Sequence, residues 1–131
     1  MLLKYLSMKP LIAIILLAAL PVLAADRSLT GNWKLSINVN GETHEAACTF
    51  QQDGDKLTGT CKSDVGEGAV TGQVQGDKIT WAHPLPYNGE TLTLSYSGTF
   101  TSDTAIKGAM NVAPYNIDGD FTGEKVIPAD K

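Results

Sequence analysis

The sequence predicts an all-β fold: an eight-stranded antiparallel up-and-down meander barrel with one cross-strand disulfide. Beyond residue 25, apolar and polar residues alternate with period two, and no stretch has the period of a helix. Gly, Asn and Asp interrupt this alternation at short intervals, which is typical of short strands joined by tight turns. Every link reads as a local hairpin, whereas a sandwich would need a long crossover, so a barrel is favoured. Closing the eighth strand onto the first would also remove the exposed sheet edges.

The first 25 residues are expected to be a signal peptide. Lys4 and Lys9 precede the apolar run PLIAIILLAALPVLA, and Val22-Leu23-Ala24 offers the small-residue cleavage pattern of a secretory signal. A transmembrane anchor is the alternative, but the run is shorter than the ~20 apolar residues that a span needs. Residues 26–131 would then form one β-barrel domain of a secreted or periplasmic protein.

The charge balance excludes two classes of partner. The sequence carries 10 Lys and Arg against 14 Asp and Glu, a formal net charge of −4, and signal removal would take away two of the lysines. Nucleic acids and anionic membrane surfaces attract basic patches. We therefore expect no nucleic-acid partner and no membrane attachment after signal removal.

The first four strands each show one apolar face between turn signals. Asn40-Gly41 is a strong hairpin signal, Asp53-Gly54-Asp55 and Gly76-Asp77 are further turns, and segment 63–68 (SDVGEG) is expected to be a loop. The predicted inward residues are, strand by strand, Trp33, Leu35, Ile37 and Val39; Ala46, Cys48 and Phe50; Leu57, Gly59 and Cys61; Val70, Gly72 and Val74.

The last four strands continue the meander. The tripeptide Pro-Tyr-Asn occurs at 86–88 and again at 114–116, and each copy is expected to be a loop, with a tight turn at Ser102-Asp103 between them. The predicted inward residues are Ile79 and Trp81; Leu92, Leu94, Tyr96, Gly98 and Phe100; Ile106, Gly108, Met110 and Val112; and Phe121.

Four inward glycines are predicted to form a ring at one level of the barrel. Gly59, Gly72, Gly98 and Gly108 each lie a few residues from a turn at the same end of the meander. A missing side chain inside a barrel must be filled, or the strand must bend. Trp33 begins the first strand at that end, so we expect its indole to fill the space above the glycines and close that end.

Cys48 and Cys61 are expected to form a structural disulfide. An exported chain with two cysteines usually pairs them. If Gln52 opposes Leu57 across the hairpin, the two cysteines face each other directly on one face, as a cross-strand disulfide requires. A redox role would need an activated thiol, and no basic residue is close enough in sequence to indicate one.

Several motifs resemble those of the calycins, the group that contains lipocalins, fatty-acid-binding proteins and avidins. The stretch LTGNW resembles their Gly-x-Trp motif, and DGDKLTGTCKSDVG followed by AVTGQV, ITWAH and LSYSGTF is similar to the avidin pattern in order and spacing. The resemblance implies a calycin-like barrel over most of the mature chain. It does not extend to the biotin pocket, where Leu35, Cys61, Tyr96 and Met110 replace the polar or aromatic residues of avidins and only Trp81 matches a wall aromatic.

A second resemblance is to the small periplasmic barrel inhibitors of secreted metalloproteases. These also open with a Gly-x-Trp strand and carry one disulfide across the second hairpin. They inhibit through the segment before the barrel, which here would be ADRSLT.

The two Pro-Tyr-Asn loops are the predicted binding site. In an eight-stranded meander both lie at the same end, so Tyr87, Asn88, Tyr115 and Asn116 would form a rim over an apolar cup. Trp81 and His83 lead into that end from below. Such an arrangement is typical of a site for a small apolar or aromatic ligand.

Three alternatives to the ligand site remain open at this point. The two loops could fold over and plug the barrel, or the rim or the N-terminal segment could bind a protein partner, for instance a protease. An enzyme is a third reading, but no motif places a base beside a nucleophile. With two histidines and paired cysteines, no metal site and no cofactor are expected.

Overall fold

The structure, a computed structural model, describes residues Arg27–Ile127. These residues form eight strands: β1 (Gly31–Val39), β2 (Glu42–Asp53), β3 (Lys56–Ser63), β4 (Gly66–Gln75), β5 (Lys78–Tyr87), β6 (Glu90–Ser102), β7 (Ala105–Ala113) and β8 (Ile117–Lys125). The predicted signal peptide, residues 1–25, lies outside the described residues. Between residues 27 and 127 no helix has the length and apolar character that crossing a membrane would take.

The strands close into a barrel in sequence order, which confirms the predicted fold class. Each strand pairs antiparallel with its neighbour, and β8 returns to β1, where Trp33 lies opposite Lys125 and Val39 opposite Gly119. The turns alternate between the two ends. The loop end carries the β1–β2, β3–β4, β5–β6 and β7–β8 turns, and the opposite end, here the closed end, carries the other three turns and Arg27–Thr30.

Local turn chemistry explains the register of the hairpins. Asn40 and Gly41 have φ of 53° and 82°, and Asn88 and Gly89 have φ of 51° and 82°. Two-residue hairpin turns of type I′ need positive φ at both positions, and Asn and Gly tolerate it best. The first Pro-Tyr-Asn is therefore not a free loop. Its first two residues end β5, and only Asn88 belongs to the turn.

The expected loop over 63–68 is much shorter than the sequence suggested. The turn consists of Asp64 and Val65, and β4 starts at Gly66. Gly68 lies so close to β5 that a Cβ there would meet the Pro84 carbonyl oxygen. Glycine is thus needed in this segment because the neighbouring strand comes close. Composition alone does not distinguish such a glycine from one in a flexible loop.

β5 continues through two prolines because its ladder with β4 stops before them. The β4–β5 register runs from Gln75 opposite Lys78 to Thr71 opposite Ala82. Pro84 and Pro86 come after this point and remain aligned with β6. Proline has no backbone N–H to donate to a neighbouring strand. It is therefore tolerated where one side of the strand makes no backbone hydrogen bonds.

The predicted disulfide is confirmed. Cys48 and Cys61 are direct cross-strand partners, their Cα atoms are 4.0 Å apart, and they are bonded. Gln52 lies opposite Leu57, as the predicted register requires. The link fixes β2 against β3 inside the barrel wall.

An aromatic layer fills the middle of the barrel. Trp81 stacks on Tyr96 with ring centroids 4.5 Å apart, and Phe50 and Phe121 pack edge-on against Trp81 at 5.0 and 5.4 Å. All four side chains are buried. We refer to Phe50, Trp81, Tyr96 and Phe121 as the aromatic layer; it separates the closed end from the loop end.

The four inward glycines have other neighbours than predicted. A Cβ at Gly59, Gly72, Gly98 or Gly108 would collide with the backbone of the paired strand, and the side chains nearest to these positions include Trp81 and Phe121. Trp33 is not among the closest neighbours of any of these four positions. The glycines therefore allow adjacent strands to approach closely and curve, and the aromatic layer takes the part of the interior that we had assigned to Trp33.

Trp33 lies at the closed end, the end expected from the sequence, and covers it together with the segment before β1. Its Nε1 donates a 2.8 Å hydrogen bond to the Leu29 carbonyl oxygen, and its ring packs edge-on against Phe100 at 6.5 Å. Leu29 is fully buried. Gln52 holds the segment in place, because its Oε1 accepts from Leu29 N at 2.8 Å and its own backbone N donates to Thr30 Oγ1 at 2.9 Å.

Candidate functional site

A cavity of about 320 Å³ opens at the loop end. Its floor is on the loop-end side of the aromatic layer, and its walls come from the loop-end halves of the strands. Most lining side chains are apolar and inward-facing, among them Ile37, Val39, Leu92, Leu94, Met110 and Val112. The Pro-Tyr-Asn turns therefore do not plug the barrel, and the filled half is the half below the aromatic layer.

His83 is the buried polar side chain of this site. It lines the cavity and is only 5% exposed. Burial disfavours the charged imidazolium and lowers the pKa of His83 below its ordinary 6.5, although a hydrogen bond to the Pro84 carbonyl opposes this effect. The ring stacks on Tyr96 with centroids 5.7 Å apart. At pH 7 the neutral form of His83 therefore predominates.

The two predicted rim tyrosines have different positions. Tyr87 lines the cavity mouth and is 46% exposed. Tyr115 is 54% exposed and is absent from the lining; its hydroxyl donates to the Glu90 carboxylate, which raises the pKa of Tyr115 above its ordinary 10.0. Tyr115 thus connects the β7–β8 turn to the start of β6 at the outside of the mouth, and only Tyr87 has the predicted inward position.

The two predicted asparagines form turns and do not line the cavity. Asn88 and Asn116 both adopt a left-handed backbone, with φ of 51° and 54°. The Asn116 side chain accepts a 3.0 Å hydrogen bond from Asn111 Nδ2 on the outer face. The left-handed backbone explains why Asn occurs at both positions. Neither side chain is placed to orient a ligand in the cavity, which is the role that we had predicted.

Trp81 is one layer deeper than predicted. It is 2% exposed, it is covered by the other members of the aromatic layer, and it does not line the cavity. Its Nε1 is fully buried and has no hydrogen-bond partner among the described residues. Trp81, which we predicted to line the site, therefore lies beneath the cavity floor and does not contact the cavity.

The rim also carries polar groups that the sequence interpretation did not single out. Glu42 and His44 line the mouth, and His44 Nε2 lies 3.6 Å from Glu42 Oε1. Both lie on the same face of β2 as Ala46 and Cys48, because alternate residues of a strand face the same side. Strict alternation along β2 could therefore have predicted that they face inward. Among residues 27–127 no three His, Cys, Asp or Glu side chains come together as metal ligands.

Two further depressions lie outside the barrel interior. One of about 540 Å³ runs over the outer wall at Gly98 and Gly108, and another of about 400 Å³ lies beside Arg27 at the closed end. The outer one is bordered by exposed side chains such as Thr99 and Lys107 and opens broadly to solvent. Neither lies inside the barrel as the loop-end cavity does.

Comparisons with known proteins support the fold and go no further. No family model matches the sequence, and no curated protein matches it significantly. The chain is similar to the solved structure of a redesigned beta barrel, b11L5F_LGL, with a TM-score of 0.64 and 16% identity over 76% of this chain and 92% of that one. It is also similar to a redesigned beta barrel, mFAP1, bound to DFHBI, with a TM-score of 0.61 and 17% identity over 74% and 94% of the two chains. At such identities the likeness shows the fold alone, a closed β-barrel.

Proposed function

We propose that the protein is an exported, non-catalytic binding protein that takes a small apolar or aromatic ligand into the loop-end cavity. The observation that carries the proposal is the apolar cavity of about 320 Å³ above a fully packed aromatic layer. Small barrels can fill their interior with side chains, and this one fills only its closed half. The volume lies at the lower end of the roughly 300–1,000 Å³ of small-molecule sites.

Two further observations support the proposal. A barrel of similar fold has been solved bound to DFHBI, a small molecule. Export is supported by the signal-like sequence of residues 1–25 and by the disulfide, which persists in oxidising compartments. The avidin-like sequence pattern does not make biotin the ligand, because Leu35, Cys61, Tyr96 and Met110 replace the polar or aromatic residues of the avidin pocket.

A protein partner is the second candidate. Val65, Tyr87 and Tyr115 are large exposed hydrophobic side chains around the mouth, where a partner could cover them. The N-terminal segment is a poorer candidate for an inhibitory arm, because Leu29 is buried and Arg27 bridges Asp77 and Asp103 at 3.5 and 3.0 Å. A partner would therefore use the rim.

Filling the cavity should abolish ligand binding. Leu94 lines the cavity and Thr93 next to it is exposed, because successive residues of a strand face opposite sides. We expect Leu94→Trp to weaken the binding of 1-naphthol or DFHBI about 100-fold or more, which corresponds to about 2.8 kcal/mol. Isothermal titration calorimetry on both variants and the wild type measures the change.

Thr93→Trp is the matched control, since it adds the same ring to the outer face of the same strand. It should bind the probes as the wild type does, and thermal unfolding should show that both variants are folded. Wild-type protein that binds neither probe, or a Leu94→Trp variant that binds as tightly as the wild type, would contradict the proposal.

A further inference from the structure

The orientation of the His83 ring is set by the barrel wall. Its Nδ1 lies 3.0 Å from the Pro84 carbonyl oxygen, and a Cβ at Gly68 would come within 3.0 Å of the same nitrogen. Any other residue at position 68 would therefore crowd the ring. The imidazole also stacks on Tyr96, with ring centroids 5.7 Å apart. His83 is thus seated in a fixed position on the cavity wall.

The hydrogen bond to Pro84 also decides the tautomer. A carbonyl oxygen can only accept, so Nδ1 carries the proton and donates it. In the neutral ring Nε2 is then unprotonated and can only accept a hydrogen bond. The ring nitrogen left to a ligand is therefore an acceptor.

The other polar side chains of the cavity lie at its mouth. They are Glu42, His44, Lys62, Ser63 and Tyr87, each within a few residues of a loop-end turn. Most of the remaining lining side chains are apolar, among them Leu92, Met110 and Val112. A ligand that enters the cavity completely thus meets one polar side chain, His83.

We propose that His83 selects ligands that carry a hydroxyl or N–H donor on an apolar or aromatic body, by accepting a hydrogen bond at Nε2. An ether, a ketone or a carboxylate in the same place would leave the Nε2 lone pair desolvated and unpaired, a loss that a buried polar group does not recover elsewhere. This inference rests on the proposed function, because it names the class of ligand for the same cavity.

A pair of matched probes tests the selection. 1-Naphthol can donate a hydrogen bond, whereas 1-methoxynaphthalene has the same rings and oxygen but can only accept. Calorimetric titration above pH 6.5, the ordinary pKa of histidine, should show wild-type protein preferring 1-naphthol about tenfold. His83→Leu should retain 1-methoxynaphthalene binding and lose the preference, and His83→Gln, which supplies a carbonyl acceptor, should restore part of it. Thr93→Leu, on the outer face of β6 and outside the cavity lining, is the control and should keep the full preference.

A spectroscopic measurement makes the test independent of variant folding. In 15N-labelled wild-type protein, the His83 Nε2 resonance should shift on addition of 1-naphthol and stay in place with 1-methoxynaphthalene. Equal affinity for the two probes, a preference that survives in His83→Leu, or an unmoved Nε2 resonance at saturation with 1-naphthol would overturn the inference and leave the proposed function intact. If neither probe binds wild-type protein, the proposed function fails and this inference fails with it.

Discussion

Trp33→Ala is expected to lower the free energy of unfolding by about 3–5 kcal/mol, the usual cost of truncating a fully buried tryptophan. Trp33 is 1% exposed, packs on Phe100 and covers the closed end of the barrel. The substitution would also leave the buried Leu29 carbonyl without its 2.8 Å partner. Urea denaturation followed by circular dichroism measures the loss.

The two tryptophans provide a matched comparison of this hydrogen bond. Trp33→Phe and Trp81→Phe remove the same atoms from side chains of nearly equal burial. Only Trp33 donates to a carbonyl, whereas Trp81 Nε1 is buried without a partner. An unpaired buried acceptor costs about 1–3 kcal/mol, so Trp33→Phe should be more destabilising than Trp81→Phe by roughly that amount. Equal losses, or a larger loss for Trp81→Phe, would show that the bond to Leu29 does not stabilise the closed end.

Removing the disulfide should cost about 3 kcal/mol, as the chain-entropy model gives for a closed loop of this length. The two cysteines are separated by 13 positions in the sequence and are both buried. The double variant Cys48→Ala/Cys61→Ala, measured by urea denaturation, should show this loss with its native circular dichroism spectrum retained. Wild-type protein denatured in the presence of a reductant is the control. A variant as stable as the oxidised wild type would contradict the stabilising role.

Local signals were enough to predict the barrel. Period-two alternation and turn pairs such as Asn40-Gly41 act between neighbouring residues, so they can be interpreted without knowing the rest of the fold. The meander then follows from short links, and the register follows from the turn. The disulfide between Cys48 and Cys61 was predictable for the same reason, because a single hairpin determines which residues face each other.

The interior could not be predicted in the same way. Alternation assigns Trp81 and His83 to the same inward face, but only packing across the barrel shows that Trp81 joins the aromatic layer and that His83 lines the cavity. Likewise, the second Pro-Tyr-Asn sits at the predicted end, but its tyrosine turns outward to Glu90. The end at which a residue lies follows from topology, whereas its direction depends on contacts between distant segments.

Glycine was the most ambiguous residue in this sequence. Gly66 and Gly68 favoured a loop by composition, yet both lie in β4. At Gly68 the missing side chain lets β5 approach and leaves room for the His83 ring. A close-approach glycine and a loop glycine have the same local sequence signal, and only the position of the neighbouring strand distinguishes them.

The central claim is that a small apolar molecule binds inside the loop-end half of the barrel. Isotope-filtered nuclear Overhauser measurements on protein saturated with 1-naphthol test it most directly. We expect contacts between ligand protons and the methyl groups of Leu92, Met110 and Val112, which line the cavity, and none to those of Leu57 and Ile106 at the closed end. Contacts confined to the closed end or to the outer wall, or no contacts at saturation, would contradict it.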